Sequence, residues 1–315
     1  MSLLPVARAH ELAALADEHR WLVDDLWAES AVGIVGGEPK CCKSFLALDL
    51  AVAVASGTPC LRRFAVARPG PVLIFPAEDA LPVVRERLAG ICSAAGVPLS
   101  GLDLHVITAP SLRLDLAGDA RRLADTVAAR APRLLVLDPF VRLHRVDENV
   151  SAAVAPILAS LRELQRNHGT AVVLVHHARK GSGAGRPGQA LRGSSELHAW
   201  GDSNLYLRRR GDRILLSVEH RAARSIADVS LRLRADDDVL ALEIAREQAS
   251  LEEPPAATLH DRVRRALDQA AAPLGLDDLR AACRVRKATL CTALADLARE
   301  RVVVRTEDGY VLGPA

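Results

Sequence analysis

Lys43 and Ser44 close the run Gly37-Glu38-Pro39-Lys40-Cys41-Cys42-Lys43-Ser44, where the chain first offers chemistry. The run follows an apolar stretch and opens a helical pattern, the setting in which a glycine-started loop cradles phosphate. Backbone N–H groups of such a loop, with the N-terminus of the helix, hold phosphate oxygens. Lys43 is placed to reach the β- and γ-phosphates, and the hydroxyl of Ser44 to bind Mg²⁺. The predicted ligand is Mg-ATP, with Gly37, Glu38, Pro39, Lys40, Cys41, Cys42, Lys43 and Ser44 as the binding segment. One position departs from the usual pattern. Cys42 stands where a glycine normally lets the backbone approach phosphate, so its Cβ should reshape the loop or weaken the contact. The competing reading is a tight turn before an ordinary helix, with Lys43 solvated.

Three later segments end apolar runs on polar groups. Val72-Leu73-Ile74-Phe75-Pro76-Ala77-Glu78-Asp79 presents two carboxylates at the end of a strand, where open α/β sheets bind ligands. Glu78 is the candidate base that orients water against the γ-phosphate, and Asp79 suits a helix cap. Leu134-Leu135-Val136-Leu137-Asp138-Pro139 is a buried strand ending in aspartate, the Walker B pattern, with Asp138 supporting the metal through water. Ala171–His177 ends on His176 and His177. One of them is a candidate sensor of γ-phosphate, and the other reads as a structural histidine. The Gly-rich loop beyond carries Arg179, Lys180, Arg186 and Arg192, a composition suited to a nucleic-acid backbone and also to an ordinary solvated loop.

These groups need a scaffold that brings strand ends together. Apolar runs at 31–35, 71–75, 105–108, 134–138 and 171–176 alternate with helical patterns at 44–56, 81–95, 119–131 and 154–168. That alternation predicts an α/β domain with a mainly parallel sheet covered on both faces. Shorter strands at 204–208, 213–219, 229–233 and 239–244 read as an antiparallel extension. The predicted organisation is a helical lead-in over 1–24, an ATPase domain over 25–248, a linker over 249–257 marked by Glu252-Glu253-Pro254-Pro255, and a small domain over 258–315. In that last part, helices at 259–271, 277–283 and 287–299 followed by a hairpin predict a winged helix-turn-helix. Arg284, Arg286 and Lys287 stand where a recognition helix would meet DNA. Leu290, Leu294 and Leu297 repeat at helical spacing and face the core.

Composition bounds the rest. Half of the 315 residues are apolar, only 3% are aromatic, and the formal net charge is +2. The balance excludes a histone-like basic protein but not a local DNA-binding surface. Low aromatic content argues against base stacking as the main grip. The six cysteines lack C-x-x-C or zinc spacing and read as reduced thiols, with a low-pKa thiol at the helix N-terminus as an option for the Cys41-Cys42 pair. With no signal-peptide layout and no apolar run long enough for a bilayer, the expectation is a cytoplasmic protein with no membrane partner.

Taken in order, Glu38–Leu50, Pro76–Asp79, Leu137-Asp138, Arg142-Leu143-His144, Asp147-Glu148-Asn149, His176–Gly181 and Arg192-Gly193-Ser194-Ser195 resemble the RepA-type plasmid replicative helicases. These are hexameric RecA-fold ATPases related to the DnaB helicases. The resemblance implies a RecA-like core over roughly residues 20–245. It implies nucleotide and Mg²⁺ at Lys43 and Ser44, Glu78 as catalytic base, Asp138 as Walker B and His177 as phosphate sensor. It also implies a homo-hexamer acting on single-stranded DNA, with an arginine from the neighbouring subunit completing each site. Arg192 and the Arg208-Arg209-Arg210 run, with Arg209 at its centre, are the candidates. A DNA-directed ATPase motor is the leading expectation. A nucleotide-gated DNA-binding regulator is the alternative. A small-molecule kinase is disfavoured, because no acceptor-binding segment or lid is visible.

Overall fold

The computed structural model describes residues 4, 6–11, 20–177, 195–236, 238–245, 259–270, 272–283, 285, 287–300, 302–306 and 308–313. They fall into two compact units, Met1–Arg246 and Glu247–Ala315.

The first unit is built on the predicted alternation. Its strands are β1 (Trp21–Val23), β2 (Trp27–Ala28), β3 (Val32–Gly37), β4 (Val72–Pro76), β5 (Leu104–Val106), β6 (Leu134–Asp138), β7 (Ala171–His177), β8 (Ser203–Arg210), β9 (Arg213–His220), β10 (Ile226–Asp236) and β11 (Val239–Ile244). Its helices are α1 (Lys43–Ser56), α2 (Leu81–Ala95), α3 (Ala117–Arg130), α4 (Ser151–His168) and α5 (Ser195–Trp200). Nine strands form one sheet in the order β11-β10-β9-β8-β3-β7-β6-β4-β5. From β8 to β5 every neighbouring pair is parallel. The β8-β9, β9-β10 and β10-β11 pairs are antiparallel. The mainly parallel sheet with an antiparallel extension is therefore as expected.

Side chains alternate across the sheet with a period of two. Val35, Val72, Ile74, Leu134, Val136, Val173 and Val175 pack on one face with α1 and α2. Val32, Ile34, Leu73, Phe75, Leu135, Leu137, Val172 and Leu174 pack on the other with α3 and α4. Both faces are covered, so the strands read as continuous apolar runs. Each fully buried Leu, Val or Ile contributes about 1.5–3 kcal/mol relative to exposure. The middle of the sheet is crowded at backbone level. A Cβ on Gly33 would collide with the carbonyl oxygen of Ser203, and one on Gly37 with that of Leu207. Glycine lets β8 lie against β3 at the strand that feeds the loop.

The N-terminal expectation needs correction. Ala9–Glu11 form a single 3₁₀ turn, and Trp21–Ala28 is a strand hairpin, not the end of a helix. Leu22, Val23 and Trp27 are at most 1% exposed, and Trp27 Nε1 donates to the Ala31 carbonyl at 3.2 Å. Burial of this β-favouring Trp-Leu-Val run against the core overrides the helical pattern around it. Residues 12–19 lie outside the described set.

The C-terminal unit contains α6 (Leu259–Asp268), α7 (Leu276–Cys283), α8 (Lys287–Arg299) and the antiparallel pair β12 (Val303–Thr306) and β13 (Gly309–Leu312). Val263, Leu267, Leu279, Leu290, Leu294, Leu297 and Val303 form its own core. The predicted linker 249–257 lies outside the described residues. Among the described residues, no helix is long and apolar enough to cross a membrane.

Candidate nucleotide site

The parallel strands deliver their polar ends to one edge of the sheet. Register sets which ends meet. Gly36 pairs with His176 and Gly37 with His177, which puts the histidines beside the start of the loop. Pro76 pairs with Asp138, and the Ala77 amide donates to the Asp138 carbonyl at 2.6 Å. Glu78 therefore emerges next to Asp138. Lys43, Ser44, Glu78, Asp138 and His177 all line one open pocket of about 240 Å³, together with Lys40, Cys41, Cys42, Phe45 and Arg87.

The loop itself is tightly wound. Lys40 and Cys42 both adopt the left-handed conformation, at φ 62° and 60°. For a residue with a Cβ that conformation costs roughly 1–2 kcal/mol, so the departure from glycine at Cys42 carries a backbone cost. Cys42 is the N-cap of α1, and its side chain makes no capping hydrogen bond. The first-turn N–H groups are thus left for an anion. Lys43 is buried, at 5% exposure, and its ammonium donates to the Glu38 carbonyl at 2.7 Å. Among the described residues no carboxylate lies within ion-pairing distance of it. Burial lowers its pKa, opposed by Cys41, Asp138, Cys42 and Glu38. A buried cation without a paired anion beside uncapped amides fits a phosphate chain.

The acidic side fits a hydrated cation. Ser44 hydrogen-bonds the Asp138 carboxyl, which burial pushes up to about 6 despite that bond. Asp79 pushes in the same direction, and Lys43 and Arg87 oppose. Asp138 is part-buried and lines the open pocket. Magnesium beside Ser44 and Asp138 would supply the missing positive charge. The sign for stability follows. The folded-state value lies above the ordinary 3.8, so the folded chain holds the extra proton between about pH 4 and 6, and stability falls as pH rises through that window. Without nucleotide, Asp138→Asn should melt above the parent at about pH 7.5, with the gap narrowing toward pH 5. Thermal denaturation at the two pH values checks this, and a pH-independent gap would contradict it.

His177 is half-buried, and burial lowers its pKa, with Lys43 and His176 adding to the effect and Glu78 and Glu148 opposing. A neutral imidazole offers one N–H donor, and among the described residues its buried Nδ1 has no hydrogen-bond partner. The two histidines differ in burial, with His176 at 1% exposure and His177 part-buried at the pocket. Burial also raises the Cys41 and Cys42 thiols. The low-pKa thiol entertained from sequence is therefore absent, because desolvation outweighs the helix terminus and the nearby cations.

Other assignments shift. Asp79 does not cap α2, whose N-cap is Ala80 with no side-chain bond. Asp79 instead pairs with Arg87, which sits 5.2 Å over the Phe45 ring. Arg87 was invisible in the sequence as a pocket residue, since only the packing of α2 beside α1 brings it there. Arg142 is a second missed contact and donates to Glu78 at 3.1 Å. Arg209, next to last in β8, lies beside the loop and donates to the Lys40 carbonyl of its own chain at 3.1 Å. Arg208 pairs with Asp228 at 2.8 Å. Lys287 is exposed at the start of α8. Arg179, Lys180, Arg186, Arg192, Arg284 and Arg286 lie outside the described residues.

The sheet order, with β7 between the loop strand β3 and the aspartate strand β6, and the convergent site define a RecA-like P-loop ATPase fold. The chain belongs to the AAA domain family, whose model matches residues 2–183. Two solved structures share the fold. A RadB recombinase superposes with a TM-score of 0.51 at 18% identity, covering 69% of this chain and 91% of that one. A DnaB-like replicative helicase, solved for its interactions with primase, gives a TM-score of 0.53 at 14% identity over 68% of this chain. The match spans 57% of the helicase chain.

Proposed function

We propose that this chain is an ATP-hydrolysing, DNA-directed motor of the RepA-like helicase kind, assembled as a ring with Mg-ATP bound between subunits. The observation that carries the reading is the convergence of Lys43, Ser44, Glu78, Asp138 and His177 on one pocket at the sheet edge. On this reading Lys43 and the first-turn amides of α1 hold the β- and γ-phosphates, and Ser44 and Asp138 hold Mg²⁺. The metal, when bound, neutralises charge on the phosphates. Glu78 orients the attacking water and takes its proton, while His177 donates to a γ-phosphate oxygen and passes the nucleotide state into the loop that follows β7. An arginine of a neighbouring copy, Arg192 or Arg209, completes the site.

Assembly across this edge has support in surface chemistry. Leu81, Val83, Leu116, Val141 and Val150 are 38–51% exposed, and all lie in the segments that follow β4, β5 and β6. Exposed large apolar side chains suit contact with another protein surface. The basic loop at Arg179, Lys180, Arg186 and Arg192 is assigned to single-stranded DNA. The C-terminal unit is read as a winged helix with Arg284, Arg286 and Lys287 toward duplex DNA.

The test is ATP turnover with and without single-stranded DNA, beside a mass measurement in each nucleotide state. Stimulation by DNA and a nucleotide-dependent ring are the expected results. A strictly monomeric protein at full rate would refute the ring. The second reading, a nucleotide-gated DNA-binding regulator, is favoured by the backbone cost at Cys42. It predicts slow turnover indifferent to single strands, with duplex binding retained.

A further inference from the structure

A second, larger cavity lies at the other edge of the sheet. It holds about 420 Å³ and is lined by Arg20, Trp21, Glu29, Asp202, His220 and Arg221, with three alanines between them. Val32 opens β3 and Ser203 opens β8, so the cavity stands at the starts of these parallel strands, whereas the phosphate loop stands at their ends. The six residues of β3 put roughly 20 Å between the two edges. The two pockets share no lining residue.

The walls of this cavity are tied in place. The Ala28 amide donates to Ser203 Oγ at 3.1 Å, and Ser203 Oγ lies 3.0 Å from His220 Nδ1. His220 Nε2 lies 3.0 Å from the Asp25 carbonyl. A carbonyl only accepts, so Nε2 carries the proton and Nδ1 accepts from the serine. Burial lowers the pKa of this imidazole, against the pull of Asp25 and with the help of Arg20, in keeping with the neutral form. Trp21 meets the His220 ring edge-on, at 4.9 Å between centroids. Arg20 Nη2 donates to the Ala222 carbonyl at 2.7 Å, and the Arg221 amide to the Asp202 carbonyl at 2.9 Å. These bonds hold the segment after β9 against the β1-β2 hairpin.

Both carboxylates of the cavity are neutralised by arginines that do not line it. Glu29 pairs with Arg133 and Asp202 with Arg162. Arg221 adds a weaker contact to Asp202 at 3.4 Å. Among the described residues, no carboxylate lies within ion-pairing distance of Arg20. Arg20 and Arg221 are exposed, and each guanidinium has more N–H donors than these contacts use. The cavity therefore sets surplus positive charge beside the part-buried indole of Trp21. Its volume falls in the range of small-molecule sites. Guanidinium forks match phosphate oxygens, and an indole gives a base a surface to stack on. We propose that this cavity is a second binding site, for a nucleoside phosphate, with the base against Trp21 and the phosphate on Arg20 and Arg221. That unit arrives either as a free nucleotide or as part of a DNA strand, and the same groups serve both.

The experiment titrates dAMP, inorganic phosphate and an oligo-dA strand, with and without a terminal phosphate, into the full-length parent, Lys43→Ala, Arg20→Ala, Arg221→Ala and Trp21→Leu by calorimetry. Binding of dAMP should survive Lys43→Ala, which empties only the first pocket. It should weaken about 10- to 150-fold in Arg221→Ala, the range for a lost hydrogen bond to a charged group. Trp21→Leu should weaken it about 5- to 150-fold, the range for a lost stack. Inorganic phosphate should bind more weakly than dAMP by that stacking factor. Melting as the parent does shows that a variant folds. If Trp21→Leu does not, Arg20→Ala and Arg221→Ala, both altered at exposed side chains, carry the test. Binding of dAMP without the strand assigns a free nucleotide. Strand binding that the cavity variants weaken assigns DNA, and dependence on the terminal phosphate assigns its end. Binding of dAMP that Lys43→Ala abolishes, or that no cavity variant weakens, overturns the site. So does absence of dAMP binding combined with strand binding that is missing or indifferent to the cavity variants. Inorganic phosphate that binds as tightly as dAMP overturns the nucleoside assignment.

Discussion

Replacing Glu78 by glutamine is expected to leave Mg-ATP binding intact and to cut turnover by about 10²–10⁴-fold, the usual contribution of a positioned general base. The expectation follows from place and chemistry together. Glu78 leaves β4 beside Asp138, lines the pocket and makes no ion pair with Lys43. The phosphate-holding groups are therefore untouched by the change. Glutamine keeps the shape and still accepts a hydrogen bond from Arg142, but it does not take a proton from water. A fluorescent nucleotide analogue reports binding, and phosphate release reports turnover. Turnover at the parental rate would remove Glu78 from the role of base. Loss of binding along with turnover would point instead to a part in shaping the pocket.

The second large effect is expected at Lys43. Lys43→Ala should weaken Mg-ATP binding by about 30- to 5,000-fold, which corresponds to the roughly 2–5 kcal/mol lost when one partner of a buried, hydrogen-bonded charge pair is truncated. In the nucleotide-free chain this ammonium is buried and rests on the Glu38 carbonyl. Burial without a paired carboxylate means that the cation is held at a cost the phosphate chain offsets. Removing it should therefore not lower the melting temperature of the nucleotide-free protein, whereas the rise in melting temperature on adding Mg-ATP should vanish. A nucleotide-free variant that melts well below the parent would instead make Lys43 a structural residue. A variant that still gains stability from Mg-ATP would mean that the loop amides hold phosphate without it.

Local chemistry was legible in the residues themselves. The loop Gly37–Ser44, the aspartate closing β6, the carboxylates after β4 and the histidines closing β7 all lie where apolar runs stop. A strand buried on both faces must be apolar throughout, so its polar end stands out. The same logic made α2 and α8 legible to their end residues, since their apolar positions recur at helical spacing between clear stops. The strand hairpin at Trp21–Ala28 was missed because a run so short has no periodicity to read. Only its packing against the core makes it a strand.

What the tertiary structure alone decided is which ends meet. Strand order is a matter of long-range pairing, and the β3-β7-β6-β4 sequence of neighbours has no local signature. It is that order which sets His177 beside Gly37 and Glu78 beside Asp138. The arginines show the limit most sharply. Nothing in the types or spacing of Arg87 and Arg142 tells that they reach Asp79 and Glu78, and the run that marks Arg209 does not tell that it reaches the Lys40 carbonyl of its own chain. Long, flexible side chains acquire partners only through what the fold places within their reach. The pKa of Asp138 has the same origin, since an aspartate at a strand end is ordinary until the surrounding protein removes its water. The sequence alone thus determined the kinds of groups at the strand ends and a parallel sheet to carry them. The fold decided their neighbours, because pairing across the sheet and loss of solvent are properties of the packed chain.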